Sequence, residues 1–309
     1  MVSRAYFFTV LAALSALSPD LCAQPQNVAS APLTVLPVQG NIYAIFGPGG
    51  NITVQAGKDG VLLVDTMFEE LAPRIAAEIK KLTDRPIRYI IDTHFHPDHV
   101  GGNAALAAMG TTGASPIDGG GATIIATDGV VNRMTAQLKD RQAPARNLPN
   151  DEYSSATKDL YLNGEAIIVF HEPKAHTDGD SMVFFRRSDV LSTGDIFTPE
   201  RYPFLDIANG GSVQGEIDAL NHILRLTVPA RLQEGGTKVV PGHGRLCDEA
   251  DVVEYREMVT IIRDRIQDLI KSGKTLAQVK AARPSLDYDT RYGSGDAFVE
   301  AVYKSLGGK

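Results

Sequence analysis

The segment Thr93-His94-Phe95-His96-Pro97-Asp98-His99 sets three imidazoles and a carboxylate within six consecutive residues, and it constrains the chain more than any other feature. Only seven His occur in the 309 residues. On an extended segment, residues i and i+2 point to one side, so His94 and His96 can grip a single ion. Pro97 bends the chain and turns Asp98 and His99 toward a neighbouring position. A solvated, His-rich turn would need none of this spacing. The segment reads as a metal site, and the fold must deliver other ligands to it.

The pattern H-x-H-x-D-H, followed by Val100-Gly101-Gly102-Asn103, resembles the signature of the metallo-β-lactamase superfamily. Members of that family draw further ligands from later loops, and candidates follow in order. His176 lies in Ala175-His176-Thr177-Asp178-Gly179-Asp180, Asp195 in Ser192-Thr193-Gly194-Asp195, and His243 in Pro241-Gly242-His243-Gly244. Each adjoins a short apolar run, at 166–170, 190–191 and 238–240, which suits loops at strand ends. The resemblance spans Asn41 to Gly244. It implies an α+β fold, a four-layer αββα sandwich whose ligand loops meet along one edge between the sheets, with a helical C-terminal part at 248–309. It also implies that His94, His96 and His176 hold one ion, that Asp98, His99 and His243 hold a second, and that Asp195 bridges them. Imidazole and carboxylate donors suit two divalent ions, zinc first, with iron and manganese also accepted.

Two such ions carry four positive charges, more than two aspartates and a hydroxide remove, so the centre stays electropositive. It can lower the pKa of water and polarise a carbonyl. The expected activity is hydrolysis of a small acyl substrate: an ester, thioester, lactone or amide. Asp98 is also the candidate catalytic residue, orienting the nucleophile or passing a proton to the leaving group. Class B β-lactamases usually carry Cys or Ser where Asp195 stands, and many have Lys three residues later, here Thr198. The bridging Asp is similar to glyoxalase II, lactonases and related hydrolases. Class B β-lactamase activity stays open as an alternative, as do a single-iron sulfur dioxygenase and a binding protein with a relic site. Asp65, after the apolar run 61–64, resembles the family aspartate that supports the metal loop. Phe46, beside Gly47-Pro48-Gly49-Gly50, and Arg201, Tyr202 and Asn209, after Asp195, are candidates for substrate contact. The Gly-rich turn could form a flap over the ions; plain turn and surface loop are the alternatives.

Arg4, the apolar stretch 5–17, the break at Ser18-Pro19-Asp20 and the small Ala23 describe an export leader over 1–23. Its apolar stretch is too short to span a bilayer comfortably. The expectation is a periplasmic or secreted catalytic domain over 24–309, off the membrane after cleavage, with Cys247 its lone cysteine and hence no internal disulfide. A net charge of −7, with no basic run longer than Lys80-Lys81, argues against a nucleic-acid partner. The oligomeric state is left open.

Apolar patterning predicts strands at 33–38, 42–46, 52–56, 61–64 and 87–91. Helical spacing predicts helices at 71–82, 101–109, 130–138, 218–226 and 252–270. Thr275 with Gln278 predicts a capping box for a further helix. Residues 110–121 and 143–155 read as loops.

Overall fold

A computed structural model of the chain describes residues 28–111, 120–139 and 145–308. The leader expected over 1–23, most of the 110–121 stretch and the first residues of the 143–155 stretch lie outside them.

One seven-stranded sheet runs in chain order: β1 (Thr34–Gln39), β2 (Ile42–Phe46), β3 (Ile52–Gly57), β4 (Gly60–Val64), β5 (Ile87–Ile91), β6 (Thr123–Thr127) and β7 (Asp151–Tyr153). It is antiparallel through β4 and parallel from β4 to β7. A six-stranded sheet holds β8 (Thr157–Leu162), β9 (Glu165–Glu172), β10 (Asp180–Phe185), β11 (Val190–Ser192), β12 (Lys238–Val240) and β13 (Cys247–Asp248), in the order β13-β12-β11-β10-β9-β8.

Strand periodicity sorts the core into layers. In β4, Leu62 and Val64 join the cluster between the sheets, while Val61 and Leu63 join the cluster under the first sheet's helices. In β10, Val183 and Phe185 face inward between the sheets, and Met182 and Phe184 face the second helical layer. Alternate residues point to opposite faces, so strands buried on both sides read as unbroken apolar runs rather than alternating ones. The first outer layer includes α1 (Ala72–Leu82), α2 (Pro97–Val100), α3 (Asn103–Ala108) and α4 (Asp128–Lys139). The second contains α5 (Val213–Leu226), α6 (Glu249–Lys271), α7 (Leu276–Ala281), α8 (Asp289–Tyr292) and α9 (Asp296–Ser305). Four layers and a helical C-terminal region result, as the resemblance implied. Among the described residues, no helix is long and apolar enough to cross a membrane.

Two local differences from the sequence-based expectation have simple causes. Residues 143–155 hold β7, a charged edge strand that apolar patterning does not mark; its pairing to β6 supplies what its side chains do not. Helix α5 starts at Val213 rather than 218 because Ser212 caps it, its hydroxyl accepting from the Gly215 backbone N–H at 3.0 Å. The expected capping box of Thr275 and Gln278 forms at the start of α7.

Helix α5 also buries Glu216, and neither carboxyl oxygen has a hydrogen-bond partner. Burial, then Asp180 and Asp195, push its pKa well above the ordinary 4.5. As pH rises past 4.5 the unfolded chain ionises while the folded chain keeps the proton, so stability is full below that value and falls toward the raised one. Glu216→Gln removes this loss. In metal-free protein its urea midpoint should match wild type at about pH 4 and exceed it at about pH 8. A midpoint difference that does not grow with pH would contradict this reading of Glu216.

Candidate metal centre

The ligand-bearing loops all leave the same end of the sandwich. Asp65 follows β4, the His-rich segment follows β5, His176 lies in the β9–β10 turn, Asp195 follows β11 and His243 follows β12. Three groups of donor atoms result, each within 4.8 Å: His94, His96 and His176; His94, His99 and Asp195; and Asp98, His99 and His243. The middle group joins the outer two, with the His94 and His99 ring centroids 4.1 Å apart.

Each of four imidazoles is tied by one nitrogen, which directs the other inward. His94 Nδ1 meets the Thr93 hydroxyl at 3.1 Å, and that hydroxyl donates to Asp65 at 2.8 Å. His99 Nδ1 donates to Asp65 Oδ2 at 2.7 Å. His176 Nδ1 donates to the Phe204 carbonyl at 2.5 Å, and His96 Nε2 donates to Asp206 Oδ2 at 3.1 Å. In these tautomers the remaining nitrogens carry lone pairs. Yet they crowd together: His96 Nδ1 lies 3.1 Å from His94 Nε2 and 3.0 Å from His176 Nε2, and His99 Nε2 lies 3.3 Å from His243 Nε2. Asp195 Oδ1 is buried without a hydrogen-bond partner, although His99 Nε2 and His243 Nε2 stand 3.2 and 3.3 Å away, out of hydrogen-bond alignment. Lone pairs converging at such distances need a cation between them. Tetrahedral zinc with bonds of 2.0–2.1 Å would space its ligands by about 3.3 Å. The donor set fits two metal ions.

The electrostatics divide the same way. Burial, then the neighbouring imidazoles His99, His176 and His96, hold His94 neutral well below the ordinary histidine range. Burial also brings His176 down to about 4. In the other group burial works against the charged forms and loses. Asp195, Asp65 and Asp98 raise His99, while His99 and His243 bring Asp98 down to about 2. The neighbouring carboxylates thus favour any cation at His99 and His243, so a proton competes there with a metal ion for the same nitrogens. Metal affinity should therefore weaken as pH falls.

Asp65 braces both groups at once. Its backbone sits in the left-handed region, φ 65°, and its carboxylate accepts from the Thr93 backbone N–H at 2.8 Å besides the Thr93 hydroxyl and His99. Removing such a partner typically costs ten- to a hundredfold in metal affinity. Asp65→Ala should weaken metal binding by roughly that factor, read by chelator competition, with both ion positions affected through His94 and His99. Affinity equal to wild type would mean that the hydrogen bonds do not position the rings.

The substrate-contact candidates fare differently. Arg201 reaches the centre, its guanidinium 3.7 Å from Asp195 Oδ2 and 47% exposed. Tyr202 does not act there as a free phenol: it is buried, its hydroxyl shared between Ser285 O at 3.1 Å and Asp289 Oδ1 at 2.9 Å, its ring stacked on Phe298. Asn209 spends its amide nitrogen on Asp206 Oδ2 at 2.7 Å, so it steadies the carboxylate that holds His96 instead of offering that donor to substrate. Phe46 is half-buried against the inter-sheet core. The adjoining turn is pinned rather than a loose flap. The Gly50 N–H donates to Asp98 O at 2.9 Å, and a Cβ at Gly50 would lie 2.3 Å from the His99 ring.

Sequence reading missed Thr93, Asp206 and the carbonyl of Phe204 as positioning groups. Thr93 could have been found, since it directly precedes the motif. The other two carry no local signal. His171 and His222 stand apart from the centre, the first bonded to Asp178 O at 3.2 Å and the second to Glu172 at 2.5 Å. Cys247 is buried, and burial pushes its thiol far up, away from a nucleophile's range.

A model of the metallo-beta-lactamase superfamily matches residues 45–243. Among solved structures, the chain is similar to the stereoselective inverting sec-alkylsulfatase Pisa1 from Pseudomonas sp., with 16% identity and a TM-score of 0.68 over 89% of this chain. It is also similar to the DIM-1 metallo-beta-lactamase, with 19% identity and a TM-score of 0.56 over 75% of this chain and 98% of that one. A linear primary-alkylsulfatase from Pseudomonas sp. (strain ATCC 19151) is 39% identical over 51 residues, 16% of this chain and 10% of that protein. The chain spans about half the length of the sec-alkylsulfatase, 50% of which it covers. At these structural identities the likeness establishes the fold.

Proposed function

The chain belongs to the metallo-beta-lactamase superfamily, and we propose that this hydrolase cleaves a small acyl substrate at an ester, thioester, lactone or amide carbonyl. The observation that carries the reading is the convergence of bare imidazole nitrogens and the unpartnered Asp195 oxygen on two adjacent positions. His94, His96 and His176 would hold one ion, Asp98, His99 and His243 the other, with Asp195 between them. The pair, zinc by preference of the donor set, would supply Lewis acidity and a lowered water pKa.

The protein's own groups do the rest. Asp65, Thr93, Asp206 and the Phe204 carbonyl fix ring orientation before substrate arrives, so little reorganisation is left for the reaction. Asp98, ionised and 29% exposed, is the carboxylate that can take a proton from attacking water and return it to the leaving group. No Ser or Cys nucleophile is required.

A sulfate ester is the second reading. It is favoured by Arg201, whose half-exposed guanidinium beside Asp195 could bind an anionic group, and by the likeness to alkylsulfatases. The test is metal-loaded protein assayed on homoserine lactones, lactoylglutathione, aryl esters, a chromogenic cephalosporin and alkyl sulfates. Turnover of a carbonyl substrate, lost to a chelator and restored by metal, supports the proposal. Turnover of alkyl sulfates alone favours the second reading, and of the cephalosporin alone a β-lactamase. No turnover of any of them would overturn both main readings. Export to the periplasm or the exterior belongs to the same proposal, and a mature N-terminus at Gln24 in a periplasmic extract would support it.

A further inference from the structure

We propose that the side chain of Phe204 is the site's apolar recognition element, covering a hydrocarbon portion of the substrate next to the scissile group; this rests on the hydrolase reading above. Phe204 is 57% exposed. Its backbone has no matching freedom. Tyr202 and Leu205 on either side are buried, the Phe204 carbonyl accepts from His176 Nδ1, and the Asp206 N–H donates to His176 O at 2.9 Å. From this held backbone the ring lies with its centroid 5.6 Å from the His176 ring and 6.0 Å from the His96 ring.

Single exposed apolar residues are ordinary, and Leu232 and Tyr161, each 73% exposed, need no role. Phe204 differs in extending from a tied backbone beside two of the three imidazoles at one ion position. Pre-organised aromatic surface beside a polar centre gains its burial free energy only when something apolar covers it. Arg201, on the same loop, approaches Asp195. The two exposed side chains thus divide the rim: a cation beside the bridging carboxylate, an aromatic ring over His96 and His176. A substrate with an alkyl or aryl group on one side of its polar, reacting centre matches that division.

The test compares metal-loaded wild type, Phe204→Ala and Phe204→Leu on p-nitrophenyl esters from acetate to decanoate. All three chains keep the backbone carbonyl that holds His176. In wild type, kcat/KM should rise with acyl length. In Phe204→Ala the decanoate-to-acetate ratio should fall roughly tenfold through KM, whatever the acetate value, and Phe204→Leu should recover most of it. An unchanged ratio in Phe204→Ala would overturn the proposal. So would equal losses on short and long esters without recovery by Leu, because that pattern belongs to a residue that only supports the His176 loop. Calorimetric titration with acetate and decanoate reads the same contact without turnover. An affinity gain with chain length that Phe204→Ala loses supports the proposal even if no ester is cleaved, in which case the hydrolase reading alone falls. An equal gain in wild type and variant overturns it.

Discussion

Asp195→Ala should lower kcat/KM by about a thousandfold or more and reduce metal content, while the fold survives. The magnitude follows from losing several kcal/mol of charge stabilisation that a correctly held metal pair supplies. Among the described residues, Asp195 is the carboxylate whose oxygen lies within reach of His94, His99 and His243 together. Without it, the two groups of donors would lose the carboxylate they share. The fold should tolerate the change because Asp195 lies on the loop after β11, and its Oδ1 makes no hydrogen bond that the variant would forfeit. Circular dichroism, elemental analysis and steady-state kinetics on the same preparation give the three readouts. Full activity with intact metal content would reject Asp195 as the bridge.

Gly242→Ala should be nearly as damaging although it leaves all seven ligands in place. A Cβ there would stand 2.1 Å from Asp195 Oδ1 and 2.6 Å from the carbonyl of Gly194. The backbone cannot yield cheaply. The Gly242 N–H donates to Gly194 O at 2.8 Å and Phe197 O at 3.1 Å, and the Gly242 carbonyl accepts from the Asn51 N–H at 2.7 Å. Relief has to come from Asp195 or from the His243 loop, and a displacement near 1 Å in such a site can cost about a hundredfold in rate. We expect weakened metal binding with kcat/KM down by roughly that factor, the global fold again retained. Wild-type kinetics in this variant would show that the loops are slacker than the packing implies.

The parts of this site that sequence makes legible are those whose chemistry dictates residue type and spacing. His94, His96, Asp98 and His99 announce themselves because four donors in six residues have few other uses. His176, Asp195 and His243 are individually ordinary, and they became candidates only through the resemblance. The strand at 61–64 is equally plain, since a strand buried on both faces reads as an unbroken apolar run. What stayed hidden depends on contacts between distant residues. Asp206 holds His96 across 110 positions, and Tyr202 meets Ser285 and Asp289 in the C-terminal helical region, more than 80 positions away. An aromatic residue near Arg201 invites a substrate role from sequence alone. Its neighbour Phe204, two positions on, is the one whose ring lies beside the imidazoles. The Gly-rich turn misleads in a related way. Its glycines suggest motion, but Gly50 is required because the His99 ring leaves no room for a side chain.

The most direct test of the central claim is the number of ions bound per chain at saturation, measured by elemental analysis after metal removal and reconstitution. Two ions are predicted, one on each group of donors joined by Asp195. A chain that saturates with a single ion would contradict the paired centre and favour single-iron redox chemistry; a chain that binds none would leave the convergence of the seven side chains without its cause.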